Sequence, residues 1–300
     1  MRHHQRLGDL SESSFFWSFL GGNVGIGKAT AVDLARRGAR VILACRDKAR
    51  GESAVCDIRR ESGNSDVILM ILDLANLNSV QTFAKTFLKS EPHLDILINN
   101  AGVFKAGQTA DGFDEAFQVN HLAHFLLTHL LLDRMKRCAP SRVVIVATNF
   151  HFFGKIDFRI IHKPGEGMWQ GPQSYCNSKL ANILHARELA NRLEGTNVTC
   201  YAVHPAFVFR ICSNRNSSVP SPLGNLADLA HQAIPPRLEN RHPDHHLLRH
   251  RGGHLSGQYF VDCQPKVPWP QARDDQMAEI FWEFSEMLLG LTAPPGKGQR

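Results

Sequence analysis

Strand and helix signals alternate along this chain from residue 15 to residue 290, and that alternation leaves few folds open. A continuous apolar run, Phe15 to Leu20, leads into GGNVGIGKATAVDLARRG and then ARVILACR. The order reads as strand, glycine turn, amphipathic helix, strand. An apolar run without alternation suits a strand buried on both faces, as in a parallel sheet. Its other reading is a membrane-surface anchor, since it falls far short of the roughly 20 residues that span a bilayer.

The rhythm continues. SGNSDVILMILDL reads as a third strand, NSVQTFAKTFLKS as a helix, LDILINNAG as a fourth strand, and DEAFQVNHLAHFLLTHLLLDRMKRC as one long helix. SRVVIVAT is a fifth strand, 149–174 a loop-like stretch, about 175–193 a helix, and NVTCYAVHP a sixth strand. SGQYFVDC and ARDDQMAEIFWEFSEMLLGL supply the last strand and helix. Strands joined this way require right-handed crossovers, so the expected fold is α/β, a doubly wound parallel sheet in a single domain. Ligands then bind at the carboxyl ends of the strands.

The expected domain runs over 15–290, after an N-terminal extension at 1–14 and before a flexible tail at 291–300. Inside it, 211–254 is a poorly patterned insert broken by Pro220, Pro222, Pro235, Pro236 and Pro243, with one short helix expected near 223–233. A hydrophobic content of 43% over 300 residues supports a large core and excludes a mainly disordered chain. The net charge of +6 is scattered rather than gathered into a basic block, which argues against a nucleic-acid partner and for a surface that tolerates phosphate. Seven cysteines without a CxxC pair argue against a disulfide framework and a zinc knuckle. A reducing intracellular setting follows, in the cytoplasm or on a membrane.

Chemistry concentrates at two places. Gly21, Gly25 and Gly27, with Asn23 and Ile26 between them, stand where the first strand turns into a helix. Glycines let the backbone approach a pyrophosphate, and the N–H groups of the helix that follows stabilise its charge. At the end of the second strand a cofactor's ribose meets Arg46 rather than an acid, which favours a 2′-phosphate and hence NADP over NAD. Asp73 and Leu74, ending the third strand, are candidates for the adenine edge; alternatively Asp73 caps the next helix.

The second place is Tyr175-x-x-x-Lys179, expected at the start of a helix. Four residues apart, the two side chains share a face, so an ammonium can lower the phenol's pKa and hold a ribose hydroxyl. A phenol so placed is the acid or base that hydride transfer needs.

Together GGNVGIG at 21–27, NNAG at 99–102, Asn120 and YCNSK at 175–179 resemble the short-chain dehydrogenase/reductase family. The phrases ILACRDKARGE, LDLANLNSV and YCNSKLAN are similar to its retinol-dehydrogenase-like branch. The resemblance implies a Rossmann fold, a nicotinamide cofactor, and catalysis by Asn120, a hydroxyl residue after the fifth strand, Tyr175 and Lys179. Thr148 is that hydroxyl residue, and Asn120 holds a water in the proton relay. Asn100, Ala101, Gly102 and Pro205 line the cofactor. The implied substrates are lipophilic alcohols and carbonyl compounds, retinoids included; a homodimer and membrane-surface association stay open.

Departures from the family pattern are Leu20 for a threonine, Thr148 for a serine, Ala206 for a glycine, and Arg210 for a small hydroxyl residue. They keep alive the alternative of a cofactor-binding or degenerate member without turnover. His242, His245, His246, His250 and His254 have some i,i+4 spacings, but Pro243 and Gly252-Gly253 oppose the helix a metal site there requires, so no metal is expected.

Overall fold

The computed structural model describes residues 16–205 apart from Gly21, then 255–262 and 264–292. The N-terminal extension, Gly21, Ala206, Arg210, the 211–254 insert with its short helix and histidines, and the tail from residue 293 lie outside the described residues.

The alternation becomes strands and helices in the expected order. β1 (Phe16–Leu20), α1 (Gly25–Arg36), β2 (Arg40–Cys45), α2 (Lys48–Ser62), β3 (Val67–Ile71), α3 (Leu77–Ser90) and β4 (Ile96–Asn99) make the first half. α4 (Glu115–Phe117), a π turn (Gln118–Leu122), α5 (Ala123–Arg137), β5 (Ser141–Val146), α6 (Gln170–Arg192) and β6 (Val198–His204) follow. β7 (Tyr259–Val261), β8 (Gln264–Lys266) and α7 (Asp275–Leu288) close the described chain.

The strands lie in the order β3-β2-β1-β4-β5-β6-β7-β8, all parallel except β8. The chain reverses direction across the sheet between β1 and β4, which pair Leu20 with Asn99. That is where a doubly wound sheet opens a crevice.

Period-two burial explains why the strands read as unbroken apolar runs. Ile42, Ala44, Leu97, Val143 and Ile145 join one core layer with Phe87, Leu131, Leu184 and Phe281 of α3, α5, α6 and α7. Val41, Leu43, Ile96, Ile98, Val144 and Val203 join the other, with Leu34 of α1 and Ile58 of α2. Both faces are covered, so each strand needs apolar residues at every position.

Four details depart from the sequence reading. The helix α2 falls on a charged stretch whose periodicity does not announce it; Asp47 caps it by accepting from Arg50 N at 3.0 Å. The long helix after β4 is interrupted by the π turn. α6 begins at Gln170 rather than near Tyr175, because Pro172 falls in the first turn, where its missing N–H has no helical partner to lose. β8 is an edge strand of three exposed residues with Pro265 in it, a place where a missing N–H is tolerated.

Candidate active site

The first turn of α1 is built to receive an anion. Gly25 opens it at φ +59°, a conformation that costs an L side chain about 1–2 kcal/mol. Val24 precedes it in extended backbone and offers no side-chain cap, and no acid stands in the first turn. The leading N–H groups of a helix have no partner within it, so the segment holding Asn23, Ile26 and Gly27 presents donors and positive dipole. These residues fit a pyrophosphate.

Arg46 follows β2 directly, exposed, and among the described residues it makes no ion pair. Leu74 is buried and its carbonyl accepts from Gln118 Nε2 at 3.3 Å. Capping of α3 falls to Asn76, whose Oδ1 accepts from Ser79 N at 3.1 Å. Asp73 instead turns its carboxylate onto Ala75 N at 3.0 Å, which corrects the capping alternative.

At the centre of the sheet, Gly102, Asn120 and Lys179 come together. A Cβ on Gly102 would stand 3.3 Å from Asn120 Oδ1 and 3.5 Å from Lys179 Nζ, so the NNAG turn that includes Asn100 and Ala101 approaches both closely. Asn120 is fully buried in the π turn. Its Nδ2 donates to Val103 O at 3.0 Å and Ser178 Oγ at 2.9 Å, and its Oδ1 accepts from Val103 N at 2.7 Å. With the amide so engaged, a relay water on Asn120 is left the main-chain carbonyl, which His124 Nδ1 already meets at 3.1 Å.

Lys179 is buried, and its Nζ donates to Val146 O at 3.0 Å, at the end of β5. Asn182 Nδ2 shares that carbonyl at 3.1 Å. Burial pushes the Lys179 ammonium down to about 8. The Tyr175 phenol is pushed up by burial, with Cys176 a lesser cause. Lys179 Nζ stands 5.6 Å from the Tyr175 ring centroid, so this geometry does not give the lowering of the phenol expected from the four-residue spacing.

The outer side of Tyr175 is aromatic. Phe104, 63% exposed, lies 5.0 Å from its ring and Phe150, 49% exposed, lies 6.4 Å away. Phe152, Phe153, Met168 and Trp169 are exposed large apolar side chains of the same β5–α6 connection. Thr148 is buried after β5 and its Oγ1 accepts from Phe150 N at 3.4 Å. Pro205 follows β6, half-buried.

Three supporting residues were not visible in the sequence as site residues. Asp114 accepts from Phe117 N and from Ser174 Oγ, each at 2.9 Å, tying the start of α4 to the residue before Tyr175. Ser178 donates to Tyr175 O at 2.7 Å and accepts from Asn120, joining the two helices. His151 donates from Nδ1 to Thr148 O at 2.7 Å and accepts at Nε2 from Trp269 N at 3.3 Å. Only Asp114 carried a signal, as a capping residue before EAF.

A doubly wound sheet, a glycine turn at its first crossover, and a Tyr-Lys pair with a buried asparagine define a short-chain dehydrogenase/reductase. The family model described as short chain dehydrogenase matches residues 19–215, and the chain belongs to that family of oxidoreductases, which bind a nicotinamide cofactor. It is 50% identical over 275 residues to human dehydrogenase/reductase SDR family member 13, covering 90% of this chain and 72% of that protein. It is 47% identical over 274 residues to human retinol dehydrogenase 12, covering 90% and 85%. Among solved structures, a Mycobacterium paratuberculosis protein superposes with a TM-score of 0.71 at 30% identity, over 92% of this chain and 93% of that one. The chain thus falls in the retinol-dehydrogenase-like branch.

Proposed function

We propose that this protein is an NADP-dependent oxidoreductase that moves a hydride between nicotinamide and a lipophilic, retinoid-like alcohol or carbonyl compound, with Tyr175 as the proton donor and acceptor. The observation that carries the reading is the setting of the Tyr175 phenol. It is half-buried, flanked outside by exposed Phe104 and Phe150, and backed by Lys179 and by Ser178, which leads to Asn120.

The bound nicotinamide supplies or removes the hydride. The first turn of α1 holds the pyrophosphate, Arg46 the 2′-phosphate, and Asp73 with Leu74 the adenine edge. Asn100, Ala101, Gly102 and Pro205 line the remainder, and Lys179 holds ribose. In reduction Tyr175 passes its phenolic proton to the substrate oxygen, which Thr148 steadies by a hydrogen bond; in oxidation Tyr175 takes the proton back. The exposed aromatic edge supports an apolar substrate, because covering it is favourable by about 25 cal/mol per Å². A lipophilic substrate dissolved in a bilayer reaches this edge most directly from a membrane surface, so surface association belongs to the same reading.

The test is titration with NADPH and NADH, followed by energy transfer from tryptophan, and then turnover of retinal and simple aldehydes. NADPH is expected to bind at least about tenfold tighter than NADH, as one charge-assisted phosphate contact allows. Tyr175→Phe should bind NADPH and lose turnover. Binding of neither cofactor sinks the proposal; binding without turnover across the panel favours a cofactor-binding member that no longer catalyses.

A further inference from the structure

Behind Asn120 and Lys179 lies a buried polar cluster that the proposed chemistry does not use. His121, His124 and His185 are each 2% exposed or less, with Asn99 and Asn182 beside them in the same interior. Among the described residues, six buried side-chain atoms of this group have no hydrogen-bond partner: Asn99 Oδ1, His121 Nδ1, His124 Nε2, Asn182 Oδ1 and both ring nitrogens of His185. Buried polar atoms are ordinarily paired, so such a concentration calls for an explanation.

For His124 the hydrogen bonding can be worked out. Its Nδ1 lies 3.1 Å from Asn120 O. A carbonyl only accepts, so Nδ1 carries the hydrogen and, in the neutral ring, Nε2 is a bare acceptor. Asn120 lies in the π turn, where Ala123 N donates to Gln118 O in the i→i+5 register. One turn further along α5, Thr128 Oγ1 donates to His124 O at 2.8 Å and accepts from Asn99 Nδ2 at 3.0 Å, which leaves Asn99 Oδ1 as a further bare acceptor.

His124 Nε2 and Asn99 Oδ1 are among the buried acceptors that need donors. Lys179 has three, of which Val146 O takes one, and its Nζ stands beside Asn120, the two lying 3.5 Å and 3.3 Å from the place of a Cβ on Gly102. The other titratable groups around the ring are His121, one turn back, and His185 on α6; burial keeps both neutral in the physiological range.

We infer that His124 is a positioning residue for proton transfer at Lys179: its Nδ1–H pins the Asn120 carbonyl, and its bare Nε2 accepts from the Lys179 ammonium through one internal water. The inference rests on the oxidoreductase reading of Tyr175 and Lys179. It gives the histidine two separable tasks, one for each ring nitrogen.

The first test needs no turnover. In the full chain labelled with [15N]histidine, one imidazole, assigned by its loss in His124→Asn, should show a protonated Nδ1 and a bare Nε2 from about pH 6 to 9. Its Nε2 resonance should move in Lys179→Met. An Nε2–H tautomer, or an Nε2 indifferent to Lys179→Met, overturns the inference. The second test is kinetic. Asn keeps the donor to Asn120 O and removes the acceptor, so in NADPH-dependent retinal reduction the alkaline midpoint of kcat should fall by about one pH unit, a tenfold change in proton affinity. Gln puts Oε1 near the place of Nε2 and should restore that midpoint, with NADPH affinity within about twofold of wild type in both variants. Equal midpoints in His124→Asn and His124→Gln overturn the inference. A wild-type protein without turnover defeats the reading of Tyr175, while the resonance test still decides the role of His124.

Discussion

Replacing Lys179 by methionine should stabilise the fold while removing its chemistry. Burial lowers the ammonium from 10.5 to about 8, a gap of about 2.5 pH units. At about 1.4 kcal/mol per unit, the folded protein holds this charge at a cost on the order of 3 kcal/mol. Methionine removes that cost and keeps most of the buried stem. It also removes the hydrogen bond to Val146 O and the inferred water-mediated one to His124, each worth about 1 kcal/mol, though the Val146 carbonyl keeps its bond from Asn182. The net expectation at pH 7 is a variant more stable by about 1 kcal/mol.

The pH dependence separates this cause from any general packing gain. The folded pKa is depressed, so between about 8 and 10.5 the unfolded chain holds a proton that the folded chain has released. Wild-type stability therefore gains up to about 1.4 kcal/mol per pH unit from this group as pH rises through that window. The advantage of Lys179→Met is full below about pH 8, and the wild type is the more stable protein near 10.5. Guanidinium unfolding of both proteins without cofactor, from pH 7 to about 10.5, measures the difference, and other groups largely cancel. A variant less stable at pH 7, or a difference that does not change across the window, refutes the reasoning.

The buried histidines act at the other end of the pH scale. His121 and His124 are pushed to about 3 by burial and His185 well below its usual value, so the unfolded state takes up protons first as pH falls below about 6.5. Each should subtract up to about 1.4 kcal/mol per pH unit, and His185→Phe should flatten the acid limb of a guanidinium midpoint series; parallel limbs would count against it. Gly25→Ala meets open space but keeps φ at +59°, so it should lower stability by about 1–2 kcal/mol and weaken NADPH in the energy-transfer titration. An unchanged melting temperature would mean that the turn relaxes at no cost. His151→Ala frees Thr148 O and leaves Trp269 N without its acceptor, for a loss of about 1–3 kcal/mol by denaturant unfolding and a higher KM for lipophilic substrates.

The parallel sheet was legible because its strands are buried on both faces and carry little but apolar residues, as in VVIV of β5 and ILI of β4. α2 was harder to see, since KARGESAVCDIRRES buries only Gly51, Ala54, Val55 and Ile58 on its inner face. The start of α6 was placed five residues late because Gly171 and Pro172 signal a loop, while position within the first turn makes them tolerable. In the site, Tyr175 and Lys179 are local in sequence and Gly25 is marked by its motif. The contacts that fix them are not local: Asp114 reaches Ser174 across 60 positions and His151 reaches Trp269 across 118. No spacing rule encodes such pairs; they follow from the sheet order.

The two sides of Tyr175 are held in different ways, and this bears on what can vary. On the inner side, Asn120 is bonded to the backbone at Val103, Lys179 to Val146, and Ser178 to Tyr175 itself. These partners are main-chain atoms of the sheet ends and helices, so the proton-handling geometry is set by the fold. On the outer side, Phe104 and Phe150 are exposed side chains on connections. Under the proposed function, replacing them should change what apolar shape the site accepts and leave the inner contacts intact. On that reading a shared scaffold can serve different lipophilic substrates, because the proposed chemistry and the proposed selection of substrate rest on separate sets of contacts.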